Sequence, residues 1–166
     1  MTATVRHATP DDAELIHRFV YELAEYEREP HAVQATPESL RAQMLLDKPP
    51  FECLIGELDG EPVGFALFFH NYSTWTGKPG IYLEDLFVRP SARGHGLGKA
   101  LLVHLARIAC ARGCGRFEWA VLDWNRPAIE FYEALRAVPM REWTIYRLTG
   151  DALQELAELR GAPQGL

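Results

Sequence analysis

The residues best suited to chemistry lie in two stretches, one around Glu84 and the glycines after it, the other around Tyr132. Ile81-Tyr82-Leu83-Glu84-Asp85-Leu86-Phe87-Val88-Arg89-Pro90 has strand character, and Ser91-Ala92-Arg93-Gly94-His95-Gly96-Leu97-Gly98-Lys99 reads as a glycine-rich turn that opens a helix. Such a turn aims unpaired backbone N–H groups and the positive end of a helix dipole at one spot, which suits a phosphate or pyrophosphate. Glycine is required where a Cβ would hold an anion away from the backbone. Two well-known phosphate loops do not fit. The dinucleotide fingerprint needs glycine where Lys99 stands. The P-loop needs glycine at Arg93 and Ser or Thr at Ala100.

The pattern that does fit is R-x-x-G-x-G, formed by Arg93, Gly96 and Gly98, and it resembles motif A of the GNAT superfamily of acetyltransferases. Asp123-Trp124-Asn125-Arg126-Pro127-Ala128-Ile129-Glu130-Phe131-Tyr132 resembles motif B, N-x-x-A-x-x-F-Y, through Asn125, Ala128, Phe131 and Tyr132. Trp75-Thr76-Gly77-Lys78, Tyr82-Leu83-Glu84-Asp85, Trp124-Asn125 and Leu23-Ala24-Glu25-Tyr26-Glu27 are similar to the diamine (spermidine/spermine) acetyltransferase branch and its thialysine-acetylating relatives. The likeness runs from about Val5 to Leu156. The chain departs from the branch where Arg28, Pro30 and His31 interrupt the acidic run after the first helix, and where Arg136 replaces the usual glycine.

The resemblance implies acetyl-CoA as co-substrate, no metal, a homodimer and direct attack of an amine without an acyl-enzyme. It places coenzyme contacts at Leu86, Phe87, Val88, Arg93, Gly94, His95, Gly96, Leu97, Gly98 and Lys99, and at Asn125, Ala128 and Phe131. An alkyl amine is protonated at neutral pH, so a base must take its proton. Glu84 is assigned that role, and Tyr132 that of general acid for the leaving thiolate. A phenol, with a pKa of about 10, is protonated where a thiol of about 8.5 is to be formed. The oxyanion donor is expected in the backbone near Phe87 or Val88. Aromatic faces and carboxylates attract ammonium groups, so Glu25, Tyr26, Trp75, Asp85 and Trp124 are expected to line the amine site. Strand alternation places Asp85 on the face opposite Glu84. The acceptor is a small primary amine such as a polyamine or thialysine. A drug, antibiotic or peptide amine, and a non-catalytic acyl-CoA sensor, are the alternatives.

The elements that must position these residues are read from local signals. Residues 4–8 form a strand. Thr9-Pro10-Asp11-Asp12 starts a helix whose stripe is Leu15, Ile16, Phe19, Val20 and Leu23. Thr36-Pro37-Glu38-Ser39 starts a second. Residues 51–58 and 62–69 form a hairpin across Asp59-Gly60. Residues 71–80 are a polar loop and 81–88 a strand. A long helix then carries Leu97, Leu101, Leu102, Leu105, Ile108 and Ala109, ending near Gly113. Strand 117–122, helix 127–135, strand 143–148 and helix 150–159 follow. This order predicts one α/β (α+β) domain over residues 1–166, with a mixed sheet flanked by helices.

The bulk properties set the outer limits. A net charge of -6 gives no basic footprint for nucleic acid. Three cysteines without a CxxC pair offer neither a disulfide framework nor a zinc signature, and Cys53 and Cys110 read as small core residues. His95 reads as exposed filler, and His17 and His104 as polar-face residues. There is no apolar leader and no run near the roughly 20 residues that span a bilayer, so a soluble cytoplasmic protein without a membrane partner is expected.

Overall fold

The computed structural model describes residues 1–159, which fall into two compact units, Met1–Trp124 and residues from Asn125 onward. The first unit is a mixed α/β structure around a five-stranded sheet of order β1-β2-β3-β4-β5. The strands are β1 (Ala3–His7), β2 (Glu52–Leu58), β3 (Glu61–Ser73), β4 (Lys78–Val88) and β5 (Arg116–Trp119). The first four are antiparallel neighbours, and β5 joins β4 in parallel. Three helices cover the sheet: α1 (Ala13–Tyr26), α2 (Pro37–Met44) and α3 (Leu97–Ala111).

Local chemistry accounts for most of these elements. Asp59 and Gly60 take φ of 50° and 85°, the left-handed pair that a two-residue hairpin needs between β2 and β3. Thr36 Oγ1 accepts from the Ser39 N–H at 3.1 Å while Ser39 Oγ accepts from the Thr36 N–H at 3.0 Å, a reciprocal cap for α2. The Thr9-Pro10 signal opens one turn of 3-10 helix before α1. There Asp12 accepts from the Thr9 N–H at 2.8 Å and takes both terminal nitrogens of Arg6 at 2.9 Å, which ties α1 to β1.

Alternation along β2 sorts the two helical layers. Cys53 and Ile55 share a core with Ala13, Ile16, Phe19 and Leu23 of α1. Gly56 instead faces Leu97 of α3, whose side chain would lie 3.0 Å from a Cβ there. Phe19 stacks on Phe65 with ring centroids 5.5 Å apart, at the centre of the α1 layer. α3 buries Leu97, Leu101, Leu102, Leu105 and Ala109 on the other face.

Four expectations need correction. Residues 71–80 are not a loop: the β3–β4 ladder continues through Asn71↔Gly80, Tyr72↔Pro79 and Ser73↔Lys78, leaving only residues 74–77 as the turn. Gly80 permits this, since the Asn71 side-chain oxygen occupies the space of a Cβ. β5 stops at Trp119 rather than residue 122, because β4, its only neighbour among the described residues, changes register beyond Leu83. Cys110 is exposed, one residue off the buried stripe of α3, whereas Cys53 is in the core.

The fourth correction lies in the second unit, which holds α4 (Arg126–Ala134) and α5 (Gly150–Ala157). Residues 143–148 are not a strand, and Trp143, Ile145, Tyr146 and Leu148 are all exposed. Strand propensity there meets no ladder partner among the described residues, and backbone groups without one do not hold an extended strand.

Candidate active site

The decisive feature of β4 is an extra residue. Leu67 of β3 pairs with Asp85, but the next residue, Phe68, pairs with Leu83, so Glu84 has no counterpart and forms a β-bulge. The bulge has two consequences. First, it exchanges the faces of β4. Asp85 lies in the row Cys53↔Leu67↔Asp85 on the α1 side, while Leu83 lies in the row of Phe68 on the other side. Leu83 and Asp85, which strict alternation would put on one face, therefore lie on opposite faces. Second, pairing of β4 with β5 ends at Leu83↔Trp119, immediately before the bulge. The two parallel strands part there, and residues 84–88 lose β5 as a ladder partner along one edge.

Three carboxylates meet at the bulge. Burial, the charge of Glu84 and the charge of Glu27 together push the Asp85 carboxyl up to about 7. Partial burial and Glu84 also raise Glu27, which caps the C-terminus of α1. Asp85 is half-buried, whereas Glu84 and Glu27 are exposed. Like charges brought this close repel unless a proton or another cation joins them. An ammonium group is one such cation. Among the described residues no group of three His, Cys, Asp or Glu side chains is arranged to hold a metal ion.

The glycine loop lies at the end of the same strand. Gly94 and Gly96 adopt φ of 84° and 77°, a conformation that favours glycine. The first bond of α3 runs from the Ala100 N–H to the Gly96 carbonyl at 2.9 Å, so the amides of Leu97, Gly98 and Lys99 have no partner within the helix. Arg93 donates through Nε to the Val88 carbonyl at 3.1 Å, and His95 donates through Nδ1 to the Ala92 carbonyl at 3.2 Å. His95 is therefore part of the loop's bracing rather than filler. Arg89 donates to both oxygens of Glu22 at 2.8 and 2.9 Å and lies 4.9 Å over Phe19. That clamp fixes the end of β4 to α1.

A ladder of cations and rings joins the loop to the carboxylates. Arg93 lies 4.9 Å over the Tyr26 ring, Tyr26 and Trp124 have centroids 6.2 Å apart, and Arg28 lies 4.3 Å over Trp124. The structure thus brings together Glu84, Asp85, Tyr26, Trp124, Arg93 and the loop glycines. Glu27 and Arg28 complete the group, and the sequence assigns neither of them a place in the site. In the sequence Glu27 stands out only as the last residue of the stretch Leu23-Ala24-Glu25-Tyr26-Glu27. Trp75 is not brought to this place. It is 81% exposed in the β3–β4 turn, and the six residue steps of strand from Lys78 to Glu84 span about 20 Å. Glu25 is exposed on α1 and contributes a backbone carbonyl to the helix end. The side chains of Leu97 and Phe87 are in the core, so only their backbone can serve a coenzyme, while Leu86 and Val88 are half-buried beside it. A separate shallow depression on α1, lined by Glu14, His17, Arg18, Tyr21 and Pro37, holds none of these groups.

In the second unit Asn125 caps α4, its Oδ1 accepting from the Ala128 N–H at 3.4 Å. Phe131 and Tyr132 are half-buried neighbours on that helix, with ring centroids 5.6 Å apart. The spacing N-x-x-A is therefore a cap and its first-turn amide.

Gly98 offers a clean test of the loop. Unlike Gly94 and Gly96 it does not have positive φ, and a Cβ there would meet only Val88 Cγ2, at 4.0 Å. Gly98→Ala should leave the fold intact, since alanine is the better helix former. It should weaken acetyl-CoA binding by about tenfold or more, the effect of losing one charge-assisted bond of about 1.5–3 kcal/mol at the anion. Calorimetric titration with acetyl-CoA measures this, and unchanged affinity would dissociate the loop from the coenzyme.

Comparison with known proteins agrees with this arrangement. The family model for the acetyltransferase (GNAT) family matches residues 16–136. Thialysine N-epsilon-acetyltransferase of Sus scrofa is 41% identical over 164 residues, covering 92% of this chain and 96% of that protein. L-ornithine N5-acetyltransferase of Arabidopsis thaliana is 34% identical, covering 96% and 90%. Among solved structures, an integron cassette protein from the mobile metagenome of V. cholerae superposes with a TM-score of 0.79 at 27% identity, covering 96% of this chain and 99% of that one. A strand that ends in a glycine-braced helix start, a bulge that parts it from its neighbour, and a family match across most of the chain lead to one conclusion: the protein belongs to the acetyltransferase (GNAT) family.

Proposed function

We propose that the chain is an N-acetyltransferase that moves the acetyl group of acetyl-CoA to the primary amine of a small molecule, of the kind to which polyamines, thialysine and ornithine belong. The observation that carries this reading is the carboxylate trio at the β4 bulge, beside a loop whose amides are free for an anion. The trio draws an ammonium group to the point where β4 and β5 part. Glu84, exposed on the bulge, takes the proton directly or through water. The freed amine attacks the thioester carbon, and the oxyanion is held by backbone N–H near Phe87 or Val88. The C–S bond then breaks, Tyr132 gives its proton to the departing thiolate, and the second proton of the former amine returns to the Tyr132 phenolate, while the proton on Glu84 passes to solvent. Atoms and charge balance without an acyl-enzyme, in keeping with Cys53, whose thiol is buried and pushed well above its usual pKa.

The loop amides, Arg93 and Lys99 bind the pyrophosphate, while Asn125, Ala128 and Phe131 shape the start of the helix that presents Tyr132. The whole chain acts as one transferase domain, as a cytoplasmic homodimer that needs no metal, nucleic acid or membrane. The test is thiol release from acetyl-CoA across putrescine, spermidine, thialysine, lysine, ornithine, aminoglycosides and short peptides. Release with the small amines supports the reading. Release with the aminoglycosides or peptides alone would overturn the substrate class, and release with none of them would overturn the enzymatic reading.

A further inference from the structure

We propose that Arg28 reads a carboxylate on the acceptor, and that the acceptor is therefore an amino acid bearing a side-chain ammonium group rather than a diamine. This rests on the reading of the site as an amine acetyltransferase and decides among its substrates.

Arg28 occupies a position that normally belongs to glycine. α1 ends in a reciprocal pair of bonds: the Arg28 N–H donates to Glu25 O at 3.1 Å and the Glu29 N–H to Ala24 O at 2.8 Å. That geometry requires a left-handed residue after the cap, and Arg28 supplies it with φ of 67°. A side chain in that conformation destabilises the helix end relative to glycine. The loss is not recovered by ion pairing. Among the described residues the guanidinium has no carboxylate partner, although glutamates flank it on both sides and Glu29 instead meets His31 at 3.1 Å.

What Arg28 does touch is Trp124, with its guanidinium carbon 4.3 Å from the ring centre. Contact over a ring engages the face of the guanidinium, and the N–H donors lie in its plane. A guanidinium held this way keeps its hydrogen-bonding edge for a planar anion such as a carboxylate. Trp124 is in turn held beside Tyr26, so the cation has a fixed support. Its chain neighbour Glu27 is coupled electrostatically to Glu84 and Asp85. Arg28 therefore directly follows a member of the negative trio in the chain and stands over Trp124. A diamine or polyamine, cationic at every end, gains from the trio and is repelled by Arg28. A zwitterionic amino acid with a terminal ammonium is complementary to both.

The experiment measures kcat/KM by thiol release for matched acceptors, L-ornithine against L-ornithinamide and putrescine, and L-lysine against L-lysinamide and cadaverine. The wild-type protein should favour each carboxylate over its amide by about 10- to 100-fold, the worth of one charge-assisted interaction. Arg28→Gln and Arg28→Gly should collapse that ratio toward one through KM rather than kcat, and Arg28→Lys should restore part of it. Arg28→Gly should also raise the melting temperature, since glycine relieves the left-handed strain. That readout separates a lost contact from a damaged fold. A ratio that survives in Arg28→Gln, or a wild-type preference for the amide or diamine, would overturn the proposal while leaving acetyl transfer in place. Failure of every acceptor would overturn the acetyl-transfer reading itself.

Discussion

Replacing Tyr132 by phenylalanine is expected to lower kcat by roughly 10²–10⁴-fold while acetyl-CoA affinity stays within a small factor of wild type. The substitution removes one oxygen and keeps the ring, so the packing of Phe131 and residue 132 on α4 survives, as does the Asn125 cap. What is lost is the proton that the departing thiolate needs. A thiol with a pKa of about 8.5 is mostly protonated at neutral pH, so solvent and buffer acids protonate the thiolate even without Tyr132, but more slowly. The defect should therefore depend on the leaving group. An acetyl thioester of a more acidic thiol expels its thiolate without help, so the deficit of Tyr132→Phe should shrink with that donor. Near-normal turnover with acetyl-CoA, or a deficit that ignores the leaving group, would leave Tyr132 as a packing residue.

The sequence reveals what depends on near neighbours along the chain. The Asp59-Gly60 turn, the Thr36–Ser39 cap and the leucine face of α3 are each set by a few adjacent side chains, and each is found where the residues imply. The bulge at Glu84 is different. Nothing in Tyr82-Leu83-Glu84-Asp85 announces it, because it exists only in the register between β3 and β4. The early end of β5 follows from that register and was hidden with it. Arg28 was visible as a departure from an acidic run, but its left-handed backbone and its place on Trp124 are tertiary facts. Residues 143–148 show the converse error. Alternating aromatic and β-branched residues express a preference for extension, and a preference forms a strand only where a neighbour completes its hydrogen bonds.

The site is in this sense assembled from two kinds of information. The glycines that build the anion loop are local and legible, since conformation and close approach demand them. The charge distribution around the amine is not, since it depends on α1 ending beside the β4 bulge. The Glu22–Arg89 clamp enforces that approach, and neither partner belongs to a recognisable motif.

Asp85→Asn should abolish the fall in stability that Asp85 causes as pH rises, and with it the pH dependence of amine binding. The carboxyl is raised to about 7 from the ordinary value of 3.8. Between those limits the folded protein holds a proton that the unfolded chain has released. Stability must then fall as pH rises from about 4 to about 7, by at most about 4 kcal/mol at 1.36 kcal/mol for each pKa unit. Asparagine has no proton to lose. The variant should therefore melt several degrees higher than wild type at pH 8, with the advantage vanishing near pH 4. Binding follows the opposite sign. An ammonium favours the ionised carboxylate, so below about pH 7 the site must shed a proton before it can bind, and the KM for the amine should fall as pH rises through that range. In Asp85→Asn this step disappears. Its KM should be nearly flat with pH from 6 to 8, and its kcat/KM at pH 8 should be lower by about 10–100-fold, the loss of one charge-assisted contact. A variant more stable than wild type and less able to bind is the signature of a charge held for function against the preference of the fold. If Asp85→Asn were less stable at pH 8, the carboxylate would be a structural partner and the trio would not be the amine site.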